Sequence, residues 1–85
     1  MKQLPEITIG KYTFEASAEH TGGTVLNVTV KCGIDSLTRK MNDQGQHDRT
    51  EAQFEESVND FALTLAKELG AKIRSTELAK KFASN

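Results

Sequence analysis

Apolar residues recur at Phe54, Val58, Phe61, Ala62, Leu65, Ala66 and Leu69, in steps of four, three and one. This is one stripe of a 3.6-residue repeat, and it predicts an amphipathic helix over residues 50–70. Glu51, Glu55, Glu56, Asp60, Lys67 and Glu68 fill the other faces. Thr50 with Gln53 three residues on has the form of a capping box, and Asp48 with Glu51 repeats the pattern two residues earlier. Gly70 is expected to end the helix, because Gly takes the left-handed conformation without a steric penalty. Such a helix, about 19 residues at 1.5 Å each, would be roughly 28 Å long. Its stripe needs a facing surface.

The N-terminal half supplies one through a different period. Glu6–Ile9 and Tyr12–Ala18 alternate apolar and polar residues, as half-buried strands do. Gly10-Lys11 between them fits a two-residue type II′ turn, which sets Ile9 opposite Tyr12 and Ile7 opposite Phe14. Met1 to Pro5 reads as a lead-in, and residues 19–23 as a loop. Thr24 to Cys32 is the clearest strand, with Leu26, Val28, Val30 and Cys32 on one side. A turn at 33–36 followed by a fourth strand, Ser36 to Met41, would set Leu37 opposite Cys32 and Met41 opposite Val28. Residues 42–48 hold no apolar side chain and read as a loop. After Gly70, residues 71–74 are expected to connect to a short last helix. Ser75 or Thr76 would cap it, and Leu78 and Phe82 lie out of phase with the Leu65–Leu69–Ile73 stripe.

The predicted fold is therefore α+β. An antiparallel β-meander of three to four strands has one face covered by a long amphipathic helix, followed by a short C-terminal helix. Thr8, Thr13, Glu15, Ser17, Asn27, Thr29, Lys31, Thr38 and Lys40 would form the opposite, solvated face. With 85 residues the chain is expected to be a single domain, 1–85, small enough that self-association is a fair expectation. No apolar run is long enough for a membrane span. The first residues lack the pattern of a signal peptide, and one Cys cannot form an internal disulfide, so a cytoplasmic setting is expected.

Charge sharpens this picture. The net charge is −1, but residues 51–68 carry one basic and five acidic side chains, whereas residues 69–85 carry four basic and one acidic. Lys72, Arg74, Lys80 and Lys81 make the basic end, which is the candidate partner-binding surface.

Catalytic and metal chemistry find little support. Cys32 continues an apolar alternation and is expected to be buried and inert. His20 and His47 sit in separate predicted loops, without zinc spacing. Residues 43–48 resemble a calcium loop faintly but lack its closing bidentate Glu. Gly22-Gly23 leads into a strand, so it presents no helix N-terminus to a phosphate. Neither an enzyme nor a cofactor is expected. Three strands followed by a helix resemble, in topology alone, part of a double-stranded-RNA-binding domain. The basic cluster such a domain carries at its helix start is replaced here by Glu51, Glu55 and Glu56, which repel phosphate. The sequence therefore points to a small non-catalytic protein-binding module that docks on a macromolecular partner or its own copy. An open edge strand at 6–9 or 36–41, or the basic end, would be its surface. Its size suits an accessory or inhibitory protein of a phage or mobile element. The alternative is a nucleic-acid-binding domain that uses the basic C-terminal helix.

Overall fold

The computed structural model describes residues 2–23, 25–42 and 50–83. Four strands, β1 (Lys2–Ile9), β2 (Tyr12–Gly22), β3 (Val25–Cys32) and β4 (Asp35–Asn42), precede one helix, α1 (Glu51–Ala83). The strands form one antiparallel sheet in the order β1-β2-β3-β4, as a meander. The expected turn and register of the first hairpin hold. Ile9 pairs with Tyr12 and Ile7 with Phe14. Gly10 has φ +60°, and Lys11 keeps a negative φ, which is the type II′ pattern.

Three features differ from expectation, each for a local reason. β1 begins at Lys2, because a bulge lies between Leu4 and Ile7. Strict alternation would point Leu4 away from Ile7 and Ile9. The extra residue restores its phase, and Leu4 joins the core. Pro5 has no N–H to lose from the ladder, so the bulge accommodates it. β2 also runs on through the expected loop to Gly22, with an irregularity between His20 and Gly22.

The third strand pair turns more tightly than expected. Cys32 pairs with Asp35, so the turn is only Gly33-Ile34. Gly33 has φ +63°, the same Gly-first turn as in the first hairpin. Ile34, fully exposed at 102%, masks that signal because an apolar residue at a turn tip reads as strand. Leu37 therefore faces Val30 rather than Cys32, and Met41 faces Leu26 rather than Val28. The shift is two residues, so the same side chains keep the same face. The opposite face is polar as expected, and the Thr29 and Thr38 hydroxyls meet across it at 2.8 Å.

The helix start is a reciprocal capping box. The Gln53 amide donates to Thr50 Oγ1 at 3.1 Å, and the Thr50 amide donates to Gln53 Oε1 at 3.0 Å. Val58, Ala62, Leu65, Ala66 and Leu69 are buried against Leu4, Phe14, Ala16, Ala18, Leu26, Val28 and Val30. Phe54 and Phe61 flank this core half-buried. The Arg39 guanidinium, 3.0 Å from the Glu68 carboxylate, ties β4 to the middle of α1. Both groups are about half exposed, so the pair contributes little stability.

The expected C-terminal helix does not exist as a separate element; α1 continues through Gly70 for 33 residues. Gly70 is buried, and its φ is not left-handed. A Cβ placed there would lie 3.4 Å from Phe14 Cζ, so Gly70 marks close approach of helix to sheet rather than an end. The phase break at Leu78 is also no barrier. A stripe must keep phase only where a surface lies beneath it, and Leu78 is 55% exposed. At 1.5 Å per residue α1 is about 50 Å long, against roughly 27 Å for an eight-residue strand. The molecule accordingly measures 56 × 22 × 17 Å, and the last turns of α1 overhang the sheet. No helix among the described residues is long and apolar enough to cross a membrane.

Candidate interaction surface

The overhang carries the basic residues singled out from sequence. Lys72, Arg74, Lys80 and Lys81 are all exposed on the C-terminal half of α1. The helix does not gather them into one patch. Arg74 and Lys81 are seven residues apart, two helical turns, and share a side. Lys72 is two residues from Arg74 and so faces another way. Arg74 and Lys81 line a wide, open depression together with Lys11, Tyr12, Glu77 and Leu78. Lys72 and Lys80 lie outside that lining.

The first hairpin completes this surface. Its turn sets Lys11 at the tip and Tyr12 at the start of β2, beside the passing helix. The Tyr12 hydroxyl donates to Glu77 Oε2 at 2.8 Å. The Lys11 ammonium sits 3.9 Å from the same oxygen and 5.4 Å from the centre of the Tyr12 ring. The Tyr12 ring in turn leans on Phe14, with centroids 6.4 Å apart. Glu77 thus clasps the helix to the hairpin where the core no longer does. The hydrogen bond to Glu77 raises the Tyr12 pKa above its ordinary 10.0, helped by partial burial and by the carboxylate's charge. Lys11, Tyr12 and Glu77 were not candidates from sequence. The signal for them was the Gly10-Lys11 turn, which becomes informative only once α1 is known to reach it.

At the other end of the helix, Leu4, Ala18, His20, Leu26, Phe54, Glu55 and Val58 line a small, mainly apolar cavity of about 60 Å³. The His20 ring stacks on Phe54 at 6.3 Å and 21°, from the extended end of β2 rather than from a loop. The cavity is well below the roughly 300–1,000 Å³ typical of a small-molecule site. Cys32 is half-buried rather than buried, since it closes β3 beside the exposed Gly33-Ile34 turn. Among the described residues no group of three or more His, Cys, Asp and Glu could hold a metal ion. His47 and the faint calcium-like loop lie outside the described residues. No family model matches the chain, and neither a curated protein nor a solved structure matches it.

Proposed function

We propose that this protein is a small non-catalytic binding module, and that it docks an acidic, partly apolar segment of a protein partner at the overhang of α1. The observation that carries this reading is the lining of one depression by three cationic side chains, Lys11, Arg74 and Lys81, around the exposed Leu78. Glu77, the one acidic side chain in that lining, is held by Tyr12 and Lys11 and offsets one of the three positive charges, so the lining stays net positive. An apolar anchor within a cationic rim suits a ligand that brings a hydrophobic side chain flanked by carboxylates. The hairpin and helix hold the rim in place, so little ordering is needed on binding. Docking of this kind fits an accessory or inhibitory role.

The test is a titration of the isotope-labelled chain with an acidic, leucine-containing peptide, followed by NMR. Shifts are expected at Lys11, Tyr12, Arg74, Leu78 and Lys81. Arg74→Glu with Lys81→Glu should weaken binding by about tenfold or more, and Lys72→Glu with Lys80→Glu by much less. An affinity indifferent to Arg74 and Lys81 contradicts the proposal. Binding to a nucleic-acid duplex that falls steeply with salt and depends equally on Lys72, Arg74, Lys80 and Lys81 would instead establish the alternative.

A further inference from the structure

The sheet has two outer edges, and they are built differently. β1 contains Pro5 and a bulge between Leu4 and Ile7, two features that blunt an edge against further pairing. β4 has neither. Its eight residues pair with β3 in unbroken register from Asp35 to Asn42, and among the described residues no strand pairs with its outer side. Half-buried Leu37 and Met41 lie along this edge on the helix side.

The tight turn fixes which backbone groups point outward. In a two-residue hairpin the residues that close the turn exchange hydrogen bonds, and the pattern then alternates along the ladder. Asp35, Leu37 and Arg39 therefore direct their N–H and C=O toward β3, while Ser36 and Thr38 direct theirs outward. The 2.8 Å contact between the Thr29 and Thr38 hydroxyls fits this phase, because side chains approach most closely at non-hydrogen-bonded pairs.

We propose that β4 pairs antiparallel with β4 of a second copy of this chain, with Leu37 on the two-fold axis. Charge selects that register. With Leu37 opposite its own copy, Asp35 of each chain faces Arg39 of the other, on both sides of the axis; Arg39 already holds Glu68 of its own chain through Nη1, and its other guanidinium N–H groups would take the second carboxylate. On the far face Ser36 meets Thr38, and the outward groups of these two residues supply about four backbone hydrogen bonds. Moving the axis to Thr38 sets Leu37 against Arg39 and Asp35 against Met41. Moving it to Arg39 brings two guanidinium groups together. Only the first arrangement matches both charge and hydrophobicity. It joins two sheets into one of eight strands and covers the half-buried Leu37. It leaves the overhang of α1 free, so it is independent of the docking surface proposed there.

The experiment is sedimentation of the full chain across the micromolar range. A monomer–dimer equilibrium is expected. Asp35→Lys, which places like charges opposite each other twice, should weaken it by about tenfold or more. Thr38→Pro removes an outward N–H without touching the β3 ladder, and should leave a folded monomer. Leu37→Cys in a Cys32→Ser background should oxidise to a disulfide-linked dimer, and Met41→Cys in the same background should not. Arg74→Glu with Lys81→Glu should leave the dimer intact. A chain that stays monomeric throughout overturns the proposal, as does a dimer indifferent to Asp35→Lys. If circular dichroism shows that Thr38→Pro unfolds, Asp35→Lys alone decides.

Discussion

The two parts of α1 on either side of Gly70 are made from similar residues and live in different surroundings. Residues 51–70 lay Val58, Leu65 and Leu69 on the sheet, with the small side chains of Ala62 and Ala66 letting the backbones approach. Residues 71–83 contribute half-buried Ile73 and then leave the core, passing the first hairpin at Tyr12. The first part is helical because a surface demands its stripe. The second is helical because its residues favour helix, it extends a helix already nucleated, and Glu77 is held by Tyr12. Packing thus sets the stability of one part, while in the other the described side chains beyond Ile73 are exposed.

That contrast can be attacked on either side. The largest effect is expected beneath the covered part: Phe14→Ala empties a fully buried site and should cost about 3–5 kcal/mol in urea unfolding. Phe61→Ala should cost less, because Phe61 keeps part of its ring in water. Next comes the cap. Thr50→Ala removes the acceptor of the Gln53 amide and should cost about 1 kcal/mol. Leu78→Ala, on the overhang, should change stability by no more than about 0.5 kcal/mol; a larger loss would mean that this segment packs on something. The smallest effect is a titration. The midpoint of Tyr12 ionisation should lie above pH 10.0, and Glu77→Gln should move its absorbance transition back toward that value. Because the folded pKa is the higher one, this clasp is intact below the phenol's ordinary pKa and is lost as pH rises through the raised one.

The sequence carried the layers of the fold wherever one period ran unbroken. The Leu26–Val28–Val30 alternation, the Gly10-Lys11 turn and the Thr50/Gln53 box each depend on neighbours a few residues away, and each appears as expected. The misreadings share a cause: a residue whose meaning depends on distant chain. Gly70 resembles a stop signal until Phe14 lies against it. Leu4 looks out of phase until a bulge corrects it. Ile34 conceals a turn identical in kind to one that was legible. The candidate surface was half legible for the same reason. Arg74 and Lys81 are local to the basic end, but Lys11 and Tyr12 join them only through tertiary contact, which no spacing along the chain encodes.

The continuity of α1 decides whether that contact exists, and Gly70→Ala measured by equilibrium unfolding tests it most directly. In an uninterrupted helix the new methyl meets Phe14 at contact distance, and helix propensity should make the protein more stable by up to about 1 kcal/mol. A loss of about 1 kcal/mol or more, the expected result if Gly70 held a left-handed terminus, would contradict it.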